Sequence, residues 1–337
     1  MKLLSKCMMG LLASSLLSGA ITNLESVQAA EDKLVVYAAL NEDHVFELEE
    51  LYESEHDIDI EILRLSGAGE LATRVIAEKE NPIADVIIGG SIEYYDQLAS
   101  EDALAAYQTE GLDIDELFLD EEGYYQGWYL GVLGMVVNTE SFDQQIGGNK
   151  PKTWDDLLDE SYKDQILNSN PSTSGGGYIF LANQIFRKGE EEGWEYIETL
   201  NDNVHHYTQG AIDPIAPVAT GEFPVGISWA HAIVSQIKEG YPIEVIVPEQ
   251  TAYEIGGSAI VNGAPNENNA KAFMDWLHSE TVSEFVVNTR NNYSVHEDMK
   301  APEGMVPFKE IDLVDYDREV ASDMKEDVIS KFETLVQ

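Results

Sequence analysis

Hydrophobic and polar positions fall into blocks that read alternately as strand and helix from residue 34 onward. Leu34-Val35-Val36-Tyr37-Ala38-Ala39 is an almost unbroken apolar run, the pattern of a strand covered on both faces. After the polar turn Leu40-Asn41-Glu42-Asp43, the residues Val45, Leu48, Leu51 and Tyr52 recur at the spacing of a helix with one buried side. A strand at 58–65 runs into Ser66-Gly67-Ala68-Gly69, and Leu71, Ala72, Val75 and Ile76 then mark a second helix. A third strand at 84–88 ends on Gly89-Gly90-Ser91. The alternation predicts an α/β protein, and open parallel sheets hold ligands off the carboxyl ends of their strands. The loops at 40–44, 66–69 and 89–91 are therefore expected on one wall of a site.

The run 131–138 is long enough to leave one lobe and enter another, and 253–261 reads as the return. These two hinge crossings predict a discontinuous lobe 1 at 31–134 plus 259–337 and a lobe 2 at 135–258. Each lobe is expected to be a mixed, mostly parallel sheet flanked by helices. Between the crossings lie a second small-residue turn at 170–177 with its helix, a helix at 191–200, and a strand at 224–229 that ends at Ala230-His231. Helical patterns follow at 270–277 and 281–287. Val320, Met324, Val328 and Phe332 stack at four-residue intervals as a last helix packed on a lobe.

The first thirty residues have a different character. Lys2 and Lys6 precede an apolar run at 8–21, and Val27-Gln28-Ala29-Ala30 supplies small residues, which together read as a secretory signal peptide cleaved near Ala29 or Ala30. The protein is then expected in the periplasm or otherwise outside the cytoplasm. The single cysteine, Cys7, lies inside this leader, so the mature chain has no disulfide, thiolate metal site or cysteine nucleophile. No cofactor is expected. The whole chain has net charge −44, and the leader holds two lysines and one glutamate, so the mature charge is −44 − 1 = −45. Nucleic acid is excluded as a partner, because counterion release needs a basic footprint that 19 Lys and Arg against 63 Asp and Glu do not provide. The acidity reads as surface adaptation to a salty or alkaline medium.

The candidate chemistry sits in the two small-residue turns. Each turn opens a helix, whose first N–H groups have no intrahelical partner and so favour an anion. Two such cradles about a hundred residues apart predict one ligand gripped from two lobes. The pattern Gly67-x-Gly69-x-x-Ala72 resembles a dinucleotide fingerprint, but it follows the second strand and lacks an acid at the next strand's end. Hydrolase motifs are absent from the sequence. His231 ends a strand on the cleft side. Glu254 is an acid in an otherwise apolar strand, either a hinge ion-pair partner or a ligand contact, and Tyr124, Tyr125, Trp128 and Tyr129 flank the first crossing.

Taken in order, the first cradle, Gly89-Gly90-Ser91, the second cradle, the segment 219–228 and Tyr253-Glu254-Ile255-Gly256 resemble the ABC-transporter solute-binding proteins of the ferric-iron, sugar-phosphate and phosphonate cluster, over residues 33 to 300. The resemblance implies the two-lobe type II periplasmic-binding-protein fold and a monomeric receptor that closes on a small solute and hands it to a membrane permease. Iron-binding members carry a tyrosine pair after the strand matching 225–228; this chain has Trp229-Ala230-His231 there, which ranks ferric iron as the alternative to a phosphorylated or phosphonate solute. Sugar-phosphate members have a histidine at the place of His231, then an aspartate where this chain has Ala232, and an acid at the place of Glu254. The implied ligand-binding set is Asn41, Ser66, Gly67, Ala68, Gly69, Ser91, Ser172, Thr173, Ser174, Gly175, Gly176, Trp229, His231 and Glu254. Neither cradle contains Lys or Arg, so helix dipoles and hydroxyls are expected to meet the ligand's charge.

Overall fold

The structure, a computed structural model, describes residues 33–336; the leader expected at 1–30 lies outside them. The elements run β1 (Lys33–Ala39), α1 (Glu42–Glu55), β2 (Asp59–Arg64), α2 (Ala68–Glu78), β3 (Val86–Ser91), α3 (Glu93–Ser100), β4 (Leu104–Ala105), β5 (Gln126–Asn138), α4 (Phe142–Gln145) and β6 (Ile166–Ser169). They continue with α5 (Gly175–Lys188), α6 (Glu190–Asn201), β7 (Val204–Thr208), α7 (Ile215–Ala219), β8 (Val225–Trp229), α8 (Ala230–Lys238), β9 (Ile243–Ile246) and β10 (Tyr253–Val261). The last are α9 (Glu267–Leu277), α10 (Glu280–Asn288), β11 (Tyr293–Ser294), α11 (Arg318–Asp323) and α12 (Lys325–Leu335). Strand β1 shows why the continuous apolar run is needed. Leu34, Val36 and Ala38 enter the core on one face of the sheet, while Val35 and Tyr37 enter the core on the other.

Strand β5 belongs to both lobes and is buried along its whole length. Residues 126–132 pair antiparallel with β10 in a sheet ordered β2-β1-β3-β10-β5, whereas 133–137 pair antiparallel with β8 in a sheet ordered β5-β8-β6-β7. The outer strands β2-β1-β3 and β8-β6-β7 are parallel, which makes each sheet mixed. At β7 a register shift lets His205 and His206 both lie exposed with their rings against Phe223, and neither is near the cleft.

The structure corrects two of the lobe boundaries. Strand β10 lies in the first sheet over its whole length, paired with β3 on one side and β5 on the other, so the return crossing precedes Tyr253 and does not span 253–261. An apolar strand pattern does not say which sheet the strand joins. The segment after residue 313 also does not stay in lobe 1. Val314, Val328 and Phe332 are buried in the lobe 2 core, and Phe332 packs against Tyr207 at a ring distance of 4.9 Å. The stripe expected to form one helix breaks at Met324 into α11 and α12, leaving Val320 exposed.

Three chain segments therefore cross between the lobes side by side. Leu133 N–H donates to Ala252 C=O at 3.0 Å, Thr251 Oγ1 donates to Leu133 C=O at 3.0 Å, and Val314 N–H donates to Thr251 C=O at 3.0 Å. Asn183 of α5, fully buried, clamps the middle segment: its Nδ2 donates to Gln250 C=O at 2.9 Å and its Oδ1 accepts from Ala252 N–H at 2.8 Å. Asn183→Leu keeps the size but leaves both backbone groups without partners, and we expect it to lower stability by about 1–3 kcal/mol. Urea unfolding checks this; an unchanged midpoint would show that the clamp contributes nothing.

Candidate functional site

A cleft of about 700 Å³ lies between the lobes. Its first wall is built where β1 passes into α1 (Asn41, His44), β2 into α2 (residues 66–70) and β3 into α3 (Ser91, Tyr94). The opposite wall carries residues 172–176 and 209–213, then Trp229 and His231, while Tyr129, Glu254 and Arg290 close the hinge side. All fourteen residues singled out from the sequence line this one cleft. Of the aromatic cluster before the first crossing, Tyr129 reaches the cleft; Trp128 and Tyr125 are buried in the first lobe.

The two helix starts converge. A methyl placed on Gly69 would stand 3.6 Å from Cε1 of Tyr94, and one on Gly175 would stand 3.9 Å from Cε2 of the same ring, so one aromatic ring separates the cradles. No side chain caps α2 at Gly67, leaving first-turn amides open. Gly90 permits this approach: its φ of +71° is left-handed, and a methyl there would come within 2.3 Å of the Ala68 Cβ. On the other wall the Trp229 indole abuts the second cradle, 3.1 Å from a methyl placed on Gly176, and lies roughly parallel to the His231 ring at 6.4 Å.

Four of the five hydroxyls in the expected site, those of Ser66, Ser91, Ser172 and Thr173, donate to other groups of the protein, and that of Ser174 only accepts. Ser66 donates both its N–H and its hydroxyl to the Glu70 carboxylate, Ser91 donates to Glu93, and Ser172 donates to Glu333 at 2.8 Å. Thr173 Oγ1 donates to Gln209 C=O at 2.9 Å, and Ser174 Oγ accepts from Gly177 N–H as the cap of α5. Asn41 precedes α1 without a side-chain cap bond. Beside the helix-start amides, two arginines that motif reading missed line the cleft: Arg64, which is exposed and donates Nε to Leu40 C=O at 3.0 Å, and the buried Arg290. Arg290 follows α10 and is 4 % exposed, with its guanidinium 4.1 Å from the Tyr129 ring centroid and 4.7 Å from that of Trp128. Its Nε and Nη1 have no hydrogen-bond partner.

Around Arg290 stand His44, His231 and Glu254. A methyl on Gly131 would sit 3.0 Å from Glu254 Oε1 and 3.3 Å from His231 Nδ1, so that glycine leaves room for both side chains. Burial lowers both imidazoles to about 3, and the positive charge of Arg290 acts in the same direction. Burial raises the Glu254 carboxyl to about 8 against the opposing pull of Arg290. At neutral pH the group is thus two neutral imidazoles, a mostly protonated carboxyl and one guanidinium. Because the folded carboxyl holds its proton above the unfolded value, unfolding releases that proton between pH 4.5 and about 8, and this group's contribution to stability falls as pH rises through that window. Glu254→Gln does not titrate, so its stability relative to the parent is expected to improve from pH 4.5 to about 8. Thermal melts across that range test this, and a flat difference would contradict it.

The C-terminal segment also contacts α3 of the first lobe, including the Tyr94 ring that lines the cleft. Arg318 Nη1 donates to Glu93 Oε1 at 2.6 Å in a largely buried ion pair, Arg318 Nη2 donates to Tyr253 C=O at 3.1 Å, and Lys325 Nζ lies 3.9 Å from the Tyr94 ring centroid.

Residues 81–317 match the family described as bacterial extracellular solute-binding protein. An uncharacterized protein of Haemophilus influenzae is 31% identical over 313 residues, covering 90% of each chain. A putative 2-aminoethylphosphonate-binding periplasmic protein of Salmonella typhimurium is 24% identical over 221 residues, 64% of this chain and 63% of that one. Among solved structures, the periplasmic binding protein AfuA from Actinobacillus pleuropneumoniae with fructose-6-phosphate bound superposes with a TM-score of 0.83 at 29% identity, covering 90% of this chain and 98% of the other. Iron-bound HitA from Pseudomonas aeruginosa shares the fold at a TM-score of 0.78 and 19% identity, over 89% of this chain and 98% of its own.

Proposed function

The chain belongs to the bacterial extracellular solute-binding proteins, and from that premise we propose that it is the receptor of an ABC importer for a small phosphorylated or phosphonate organic solute. The observation that carries this reading is the convergence of two helix starts, at 67–69 and 174–176, on either side of the Tyr94 ring in a cleft whose buried cation is Arg290. Each helix start favours an anion by about 0.3–1 kcal/mol when exposed and up to about 2 when partly buried. Two of them with a guanidinium suit a phosphoryl or phosphono group better than a neutral solute. The sugar phosphate bound by AfuA and the phosphonate in the name of the Salmonella relative are of this class. In this reading the lobes close on the solute about the three-segment hinge and present it to a membrane permease, and the solute leaves unchanged.

Calorimetry with hexose phosphates, glycerol phosphates and 2-aminoethylphosphonate tests the proposal. Heat from at least one of them, with unaltered ligand recovered and a smaller radius of gyration in solution scattering, is the expected result. Silence across the panel with tight ferric binding would replace this reading with an iron receptor. Glu70 supplies a second check, since its carboxylate takes both Ser66 donors and adds negative charge at the first cradle. Glu70→Gln is expected to tighten binding a few-fold at low salt, and less at high salt.

A further inference from the structure

Resting on that reading, we infer that the solute carries a second anionic group, a carboxylate or a second phosphoryl, which docks on Arg290 at the Tyr129 and Glu254 side of the cleft. The helix starts meet around Tyr94 and account for one anionic group. Arg290 belongs to a different set of neighbours: the Tyr129 and Trp128 rings, the Tyr129 hydroxyl as a side-chain hydrogen-bond partner, and the charge of Glu254. A guanidinium taken out of water is unfavourable unless an anion or full hydrogen bonding compensates it. Here Nε and Nη1 are bare, and among the described residues no ion pair includes Arg290.

Glu254 does not supply the missing anion, because its own burial favours the protonated form and no hydrogen bond joins it to the guanidinium. The planar donor array of an arginine matches carboxylate and phosphoryl oxygens and pairs with them more strongly than with a hydroxyl. A cleft of about 700 Å³ with two such stations suits a solute that is acidic at both ends.

Calorimetry on the parent protein with glycerol 3-phosphate against 3-phosphoglycerate compares a hydroxymethyl with a carboxylate, and fructose 6-phosphate against fructose 1,6-bisphosphate does the same for a second phosphoryl. We expect the doubly anionic member of at least one pair to bind roughly ten- to a hundredfold more tightly than its partner. Arg290→Met is expected to shrink that ratio to about twofold or less. Equal affinities within both pairs, or a ratio that survives in Arg290→Met, would overturn the inference and leave the proposed function standing. Silence of all four together with the rest of the phosphate and phosphonate panel would remove both. The comparison within each pair needs no variant, so a poorly folding Arg290→Met does not blunt the test.

Discussion

Gly256→Val is expected to lower stability by about 3 kcal/mol or more and to weaken solute binding with it. Even a methyl at this position would lie 1.9 Å from Tyr129 Cε1 and 2.1 Å from its Cζ, inside the ring itself. Gly256 is in β10, directly paired with Tyr129 of β5, so the backbone has little freedom to retreat. The displaced ring would also move away from Arg290, whose guanidinium rests 4.1 Å from its centroid. The matched control is Gly67→Ala, where a methyl meets nothing within 4 Å and the backbone is extended, with φ 177°. That variant should keep the parent's denaturation midpoint. If both variants unfold alike in guanidinium chloride, the close contact of β10 with Tyr129 is not the reason.

Arg318→Met should produce a loss of similar size, about 3 kcal/mol, because it leaves the Glu93 carboxylate without its cation in a site where that side chain is 7 % exposed. The readout differs, since this pair ties the C-terminal segment packed on lobe 2 to helix α3 of lobe 1. Solution scattering of the ligand-free variant should show a larger radius of gyration than the parent, and calorimetric unfolding should separate into two lobe transitions. Adding Glu93→Gln to the variant should restore part of the stability, because no uncompensated charge remains. A compact variant with a single sharp transition would place the link between the lobes elsewhere, in the three-segment hinge.

The cleft wall was legible because it depends on local rules. Polar loops at the carboxyl ends of β1, β2 and β3 must share an edge once those strands are parallel, and the turns at 66–69 and 172–176 announce themselves by small residues at helix starts. What could not be read depends on partners far away in the chain. Ser172 is taken by Glu333 and Thr173 by Gln209, pairings that no local pattern contains. Arg290 stands in the polar stretch Thr289-Arg290-Asn291-Asn292, which looks like solvent-exposed chain, yet Asn292 Nδ2 donates to Leu130 C=O and anchors the stretch inside. Its one sequence signal is scarcity, because a chain with 19 basic residues and 63 acidic ones has few cations to place by chance. The sheet joined by β10 and the return of 314–336 to lobe 2 are likewise tertiary choices among equally apolar surfaces.

The return of α12 to lobe 2 governs when the protein can take shape during synthesis. Lobe 1 lacks the strand between β3 and β5 until 253–261 has been made, and the core of lobe 2 stays open until Phe332 arrives to cover Tyr207. With contacts this distant in sequence, loop closure is slow and neither half can finish early. The last core contacts of lobe 2 therefore form only when the final helical turns of the chain are complete.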